Sequence, residues 1–551
     1  MKVVLAQLNY HIGNFAENLT KIAFEVKKAE GQNADLIVFS ELAVTGYPPQ
    51  DLLEFGHFIE ESSKAIQQLA SISNHIGILI GAPTLNPGPT GKKLFNSAYF
   101  LFDGWVQQVF HKTLLPTYDI FDEYRYFEPN KEFHLLHFRD KKIAVTICED
   151  LWFDQPAENA FSNSRLYTEN PLEKLAEMDP DLVINLAASP FSYLRQQVKT
   201  EIFTDNARKF GLPIIYVNQV GAQTELVFEG GSLVVNRHGQ IVHSLKMFRE
   251  DSLMVDLDDL VLDRLPEIGF TPWERPELIY HALQLGIRDY FTKMNFQKAT
   301  LGLSGGIDSA VTLVLAVEAL GAENLVVLLM PSKYSSDHSL KDAKQLADNL
   351  GVSYQVIPIQ ETFDSFLSDL KPLFEDLPED IAEENLQSRI RGTMLMAVSN
   401  KFGYILLNTS NKSEAAVGYG TLYGDMAGGI SVLGDVYKTD VYRLAEFINR
   451  QHEIIPENIL TKPPSAELKP DQKDTDSLPD YEVLDQILYA YIEQQKALPD
   501  IIGEGMDERL TKRIIGLVNQ NEYKRYQTPP ILRISSKAFG VGRRMPLVAK
   551  Y

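Results

Sequence analysis

The stretch that most constrains this chain is Leu301-Gly302-Leu303-Ser304-Gly305-Gly306-Ile307-Asp308-Ser309. An apolar run ends in two adjacent glycines, with hydroxyls on both sides and a carboxylate behind them, and a helical segment from Ser309 to Leu320 follows. Such a run reads as a strand, a tight turn and a helix N-terminus. Gly305 and Gly306 have no Cβ, so the backbone there can approach a ligand closely. The free N–H groups of the helix start, with the helix dipole, favour phosphate. It is not a Walker loop, because the G-x-x-x-x-G-K-[ST] spacing and its lysine are both missing.

The residues that follow extend the pattern. Helix Ala310–Leu320, strand Leu325–Met330, helix Ser339–Leu350, strand Tyr354–Ile357 and helix Phe363–Leu370 form a βαβ series, with a further strand at Tyr404–Asn408. The expected fold is an α/β doubly wound (Rossmann-like) parallel sheet, whose ligands bind at the carboxyl ends of the strands. The glycine stretch resembles the S-G-G-x-D-S pyrophosphate loop of the ATP pyrophosphatases, which adenylate an oxygen and then displace AMP with a nitrogen nucleophile. That resemblance implies ATP contacts from Gly302, Leu303, Ser304, Gly305, Gly306, Ile307 and Ser309, and Mg2+ at Asp308.

At 551 residues the chain is too long for one core, so two to four domains are expected. Its net charge of -22 argues against non-specific binding to nucleic acid or anionic membranes. An acidic chain that handles nucleotides must concentrate positive charge locally, which gives lysines and arginines near the glycine loop added interest. The single cysteine excludes an intrachain disulfide framework and a Cys-rich zinc site, and suits a reducing compartment. Met1–Asn9 is apolar only briefly and reads as a first strand rather than a signal peptide. No apolar run approaches the roughly 18 residues of a membrane span. A cytoplasmic protein is expected.

From Met1 to about Asp259, short apolar strands alternate with amphipathic helices such as Asn14–Lys28 and Phe58–Asn74, which predicts a layered α/β domain. Glu41, Lys112 and Cys148 each stand at the end of such a strand. Singly they are unremarkable: a lone cysteine is more often a small buried hydrophobe than a nucleophile. Together, Ser40-Glu41-Leu42, His111-Lys112-Thr113-Leu114-Leu115-Pro116 and Ile147-Cys148-Glu149-Asp150-Leu151-Trp152 resemble the nitrilase-type amidase triad in the same chain order. The resemblance implies an α-β-β-α layered domain over residues 1–259. In it Glu41 is the general base, Lys112 stabilises the oxyanion, and Cys148 forms a thioester as ammonia leaves. Ala188-Ser189-Pro190-Phe191 with Arg195 resembles the stretch that holds glutamine in glutaminase versions of this fold. Tyr118, Ser189 and Arg195 are therefore candidate glutamine contacts, although many relatives have lysine where Arg195 stands. Glu123 reads equally as a further active-site carboxylate or as a structural residue.

Composition shifts between Asp256 and Arg275, giving an expected linker at 260–275 and a second domain at 276–551. Glu384–Arg391, Thr409–Glu414, Gly418–Asp425 and Val436–Asp440, in that order behind the glycine loop, resemble NAD+ synthetase. With the amidase half in front, nearly the whole chain resembles the bacterial glutamine-dependent NAD+ synthetases. This implies that ATP adenylates deamido-NAD+, that ammonia from glutamine displaces AMP, and that an enclosed ammonia channel joins the two sites. It places Thr409 and Lys438 at ATP, and Asn385, Glu414, Asp425 and Lys524 at deamido-NAD+, with Glu414 also facing a second Mg2+. The role of Lys412 stays open. The proline-rich, acidic 462–480 segment reads as a lid or as a solvated linker. A homo-oligomer, dimeric or larger, is implied. Two rivals remain: an ATP-dependent amidotransferase with another acceptor, and a nucleotide sensor without turnover. The absence of a basic stretch weighs against a tRNA acceptor, and the intact Glu41, Lys112, Cys148 and Asp308 weigh against a sensor.

Overall fold

Strand Lys2–Gln7 shows how the first half is built. Val3 and Leu5 point into one apolar cluster and Val4 and Ala6 into another, and all four are buried. A strand covered on both faces must be apolar throughout, which is why the sequence there is a run rather than an alternation. The cluster around Val3 and Leu5 includes Ile143 and Ile147 from a second sheet, while the cluster around Val4 and Ala6 includes Ile22 and Ile66 from helices Phe15–Gly31 and Gly56–Ser71. The result is a sandwich of two six-stranded sheets. The first runs Asp251–Asp256, Lys2–Gln7, Leu36–Val38, Gly77–Leu85, Leu94–Phe102, Trp105–His111. The second runs Ile241–Ser244, Leu233–Val235, Ile214–Asn218, Leu182–Ala187, Lys141–Ile147, Leu136–Phe138.

The computed structural model describes residues 1–155, 166–269, 271–470 and 472–550. Phe270 of the expected linker, Asp471 of the proline-rich segment and Tyr551 lie outside the described residues. The chain divides into two compact units, Met1–Pro272 and Trp273–Tyr551. Asp256 caps a short helix, Leu257–Val261, whose Leu257 and Leu260 are buried in the first core. The division between the two units falls after Pro272, within the expected linker at 260–275.

The second unit holds a five-stranded sheet in the order Ser353–Val356, Leu325–Leu329, Ala299–Gly302, Ile405–Asn408, Ile430–Ser431, parallel at every pairing. From Ala299–Gly302 the chain first builds outward on one side, then returns to place Ile405–Asn408 on the other. The crevice between the carboxyl ends of these two strands is the topological switch point, where such sheets bind ligands. Helix Arg275–Lys293 enters with Pro276 in its first turn, where its missing N–H costs nothing.

Candidate active sites

Two sheets bring the first cluster together. Glu41 lies just beyond Leu36–Val38, Lys112 follows Trp105–His111, and Cys148 follows Lys141–Ile147. The Lys112 Nζ donates to Glu41 Oε1 at 2.7 Å and to both oxygens of Glu123, at 2.9 and 2.8 Å. Glu41 Oε1 also accepts from Asn96 Nδ2 at 2.7 Å, and its other oxygen accepts the Ala188 N–H at 3.0 Å. Tyr47 donates its hydroxyl to Glu123 at 2.8 Å. Glu123 is thus a member of the cluster and not a bystander on its short helix.

One ammonium faces two carboxylates, all three out of water. Burial works against the charge on Lys112, yet Glu123 and Glu41 hold its pKa well above the ordinary lysine value. The excess negative charge falls on Glu123, whose carboxyl is pushed up to about 7, chiefly by burial. Burial, and then the Glu41 charge, also raise the Cys148 thiol well above its usual range against the pull of Lys112. The resting sulfur is a thiol, so a nucleophile forms here only when a neighbouring carboxylate takes its proton.

Beside the thiol lies a polar and aromatic wall. Tyr118 and Tyr167 each donate a hydroxyl to Glu149 Oε1 at 2.8 Å, and Gln155 donates at 3.1 Å. The Arg195 guanidinium lies 5.5 Å from the Trp152 ring centre and 5.8 Å from that of Phe121, and Tyr118 packs edge-on to Phe121. Burial works against the charge on Arg195, yet the negative charge gathered around Tyr118 and Glu149 keeps the pKa of its guanidinium above the ordinary value. Ser189 is buried next to Ala188, with its N–H on Asn218 Oδ1 at 2.9 Å. Sequence reasoning quoted Glu149 only as part of the cysteine motif and missed Asn96. The available signal for Asn96 was a polar pair, Asn96-Ser97, inside an otherwise apolar strand.

The second cluster lies at the switch point. The helix after the glycines starts at Ile307, two residues earlier than the sequence suggests, because Gly306 is extended and serves as its cap. Asp308 and Ser309 thus sit in its first turn. Gly305 has φ +79°, and a Cβ there would lie 2.3 Å from the Ser339 carbonyl oxygen, so only glycine fits. The loop's own hydroxyls brace it: Ser304 Oγ accepts the Gly306 N–H at 3.2 Å, and Ser309 Oγ accepts the Ser304 N–H at 3.3 Å.

Two adjoining cavities of ≈ 260 and ≈ 210 Å³ open here. Gly302, Leu303 and Ser304 line the first and the rest of the loop lines the second. Ser304, Thr409 and Asp425 line both. In the second, the Lys438 Nζ donates to Asp308 Oδ2 at 2.5 Å and to Glu414 Oε1 at 3.5 Å, and Asn411 donates to Asp308 Oδ1 at 2.9 Å. Glu414 is pushed up to about 8 by burial and then by the Asp308 charge, while Asp308 and Glu414 keep Lys438 protonated against burial. Among the described residues no group of three or more His, Cys, Asp and Glu is arranged as a metal cage. Two under-compensated carboxylates nevertheless suit a hard cation that takes its remaining oxygens from water and phosphate.

Asn385, Asp425 and Lys524 converge on the Gly418–Asp425 segment. Asn385 Oδ1 accepts from the Thr421 hydroxyl at 2.6 Å, Asp425 Oδ1 accepts the Thr421 N–H at 2.6 Å, and the Lys524 Nζ donates to the Gly418 and Gly420 carbonyls at 2.8 and 2.9 Å. Only Asp425 of the three lines these two cavities. The proline-rich segment packs against the cleft through Glu467, whose carboxylate accepts from Lys462 Nζ (2.5 Å), Ser339 Oγ (2.8 Å) and Ser336 Oγ (3.0 Å). Lys412 is a buried structural cation, bonded to Asp435, Glu493, Ser535 and the Lys537 carbonyl.

Residues 2–263 match the carbon-nitrogen hydrolase family and residues 279–528 match NAD synthase. Over its full length the chain is 46% identical to the glutamine-dependent NAD(+) synthetase of Synechocystis sp., covering 99% of that protein. It is 41% identical to the same-named protein of Thermotoga maritima, again over all of this chain and 99% of the relative. The solved glutamine-dependent NAD+ synthetase of Acinetobacter baumannii, in complex with ADP, is 40% identical and superposes with a TM-score of 0.77 over 99% of this chain and 98% of that one. No described helix is long and apolar enough to cross a membrane. With this identity spanning both halves, the chain belongs to the family of glutamine-dependent NAD+ synthetases.

Proposed function

We propose that the chain converts deamido-NAD+ to NAD+ with glutamine as nitrogen donor and ATP as activator, releasing glutamate, AMP and pyrophosphate. The observation that carries this reading is the presence in one chain of a thiol beside the Glu41–Lys112–Glu123 cluster and a phosphate loop at a switch point.

In the first unit, Glu41 takes the Cys148 proton as the sulfur attacks the glutamine amide carbon. Lys112 compensates the negative charge on the tetrahedral oxygen. Glu41 then returns the proton to the departing nitrogen, and ammonia leaves a thioester behind. A water deprotonated by Glu41 cleaves that thioester to glutamate and restores the thiol. Arg195, buried and charged, is suited to the α-carboxylate of glutamine, with Tyr118 and Ser189 beside it.

In the second unit, the loop N–H groups and the hydroxyls of Ser304 and Ser309 cradle the ATP phosphates, and Lys438 neutralises their charge. A carboxylate oxygen of deamido-NAD+ attacks the α-phosphorus and pyrophosphate departs. Ammonia then adds to the acyl carbon and AMP leaves. Asp308 and Glu414 are the residues that would hold Mg2+, which supplies charge neutralisation at the phosphates. Thr409, read as an ATP contact, and Asp425, read as a deamido-NAD+ contact, line both cavities of the cleft.

The test is AMP formation from ATP and deamido-NAD+, with glutamine or ammonium as donor, in wild type and Cys148→Ala. The variant is expected to lose glutamine use and keep ammonium use. Equal use of both donors by the variant would remove Cys148 from the reaction. Absence of AMP in both proteins would refute the acceptor.

A further inference from the structure

Cys148 stands in an awkward backbone conformation. Its φ is +43°, in the left-handed region that costs a non-glycine residue roughly 1–2 kcal/mol. Such a conformation persists only where its surroundings over-determine it. Lys112 still donates its N–H to the Asn96 carbonyl at 2.8 Å, but the chain beyond it, Thr113-Leu114-Leu115-Pro116, leaves the sheet. The reaction nonetheless needs the sulfur and the ammonium held relative to one another to well under an ångström.

One buried side chain meets both needs. Asp150, in the short turn Cys148–Leu151, directs Oδ2 to the Ile147 N–H at 2.9 Å. Its Oδ1 accepts the N–H groups of both Thr113 and Leu114, at 2.9 and 2.8 Å. Ile147 immediately precedes Cys148, and Thr113 immediately follows Lys112. The carboxylate is therefore a bracket between the two catalytic segments, and all three of its bonds run to main-chain N–H groups. Burial pushes its carboxyl up to about 6 against the pull of these bonds, which marks an ionised acceptor kept at some cost. An asparagine in its place fills the same volume, but turns an amide N–H2 toward one side of the bracket, donor against donor.

We infer that Asp150 is a positioning residue for amide hydrolysis, setting Lys112 and Cys148 relative to each other by bracketing the main chain on either side. The inference rests on the proposed glutaminase role of the first unit. It explains why the cysteine motif carries a second acidic residue that touches no reacting atom.

The test compares full-length wild type, Asp150→Asn and Asp181→Asn. Asp181 also accepts a main-chain N–H of strand Lys141–Ile147, that of Lys142 at 2.7 Å, but at the end remote from Cys148. Glutamine hydrolysis, ammonium-driven AMP formation and thermal unfolding amplitude are measured on each. A misplacement of about 1 Å costs roughly 100-fold in rate, so Asp150→Asn is expected to lower kcat for glutamine about 100-fold. KM should stay within about threefold. Ammonium-driven synthesis and unfolding amplitude should match wild type, and Asp181→Asn should hydrolyse glutamine normally. Unchanged kcat in Asp150→Asn overturns the inference. So does a loss matched by reduced unfolding amplitude or shared equally by Asp181→Asn, since each makes Asp150 a general support of the fold. Failure of the underlying reading is separate: there, wild type itself does not hydrolyse glutamine, or Cys148→Ala still does.

Discussion

Replacing Glu123 by glutamine separates the chemistry of the first unit from its packing. The Glu123 carboxylate gives Lys112 two charged hydrogen bonds, at 2.9 and 2.8 Å, and Lys112 in turn bridges to Glu41 at 2.7 Å. A hydrogen bond to a charged group contributes roughly 1.5–3 kcal/mol, and each 1.36 kcal/mol is a decade in rate. Losing one charge-assisted contact that orients the ammonium should therefore lower kcat for glutamine hydrolysis roughly 10- to 150-fold. The glutamine side chain resembles the protonated carboxyl, and burial pushes Glu123 up to about 7. The ratio of wild-type to variant kcat is then largest near pH 8.5 and shrinks toward one as the pH falls well below 7. Stability runs the other way. The folded-state pKa lies above the ordinary value of 4.5, so folding disfavours the ionised form. This group's contribution to stability is fully present below about 4.5 and is lost as pH rises through about 7. The variant should accordingly unfold no earlier than wild type at pH 8 while being the poorer catalyst. Steady-state hydrolysis across pH 5.5–8.5, with melting curves at each end, checks both halves. A pH-independent ratio, or a kcat within about threefold of wild type at pH 8.5, would show that Glu123 does not act through Lys112.

Two perturbations of the second unit follow from its buried charges. Lys438→Met leaves Asp308 and Glu414 without their shared ammonium and, on the proposed reading, takes a positive charge away from the ATP phosphates. Ammonium-driven AMP formation should fall by about 10²–10³-fold with glutamine hydrolysis unchanged; retention of AMP formation would remove Lys438 from the reaction. Lys412→Met strips the counter-ion from Asp435 and Glu493, both buried, and costs about 3–5 kcal/mol. For a unit of this size, with a urea slope of about 3 kcal/mol per M, the loss of ammonium-driven activity moves down by roughly 1–1.7 M urea, while the glutaminase midpoint stays in place. A common shift of both activities would contradict the assignment of that network to the second unit alone.

Much of this molecule was readable from residue order. The glycine loop is local: two residues without Cβ, a strand before and a helix after are enough to make a phosphate-binding turn, and the structure differs only in where the helix begins. Lys2–Gln7 and Leu325–Leu329 are visible as apolar runs, since strands buried on both faces need apolar residues throughout. The half-polar strands are harder to read. Trp105–His111 and Asp251–Asp256 carry exposed and half-buried positions that dilute any run. Around the composition shift, only the tertiary structure shows that Asp256 caps a helix whose Leu257 and Leu260 complete the first core.

The site residues divide along the same line. The identities of Glu41, Lys112 and Cys148, and of Ser304 to Ser309, are properties of short segments whose chemistry is written in their side chains. What those side chains do depends on neighbours far away in the chain. Glu123 became a partner of Lys112, Asn411 of Asp308, Lys438 of both Asp308 and Glu414, and Lys412 a structural cation, each only because the fold brings them within hydrogen-bond reach. A sequence states which charges exist. Burial and proximity decide which of them stay charged, because the electrostatic terms involved fall off within a few ångströms and grow as water is excluded. That distance dependence is why the chemistry was legible in the sequence and its tuning only in the tertiary structure.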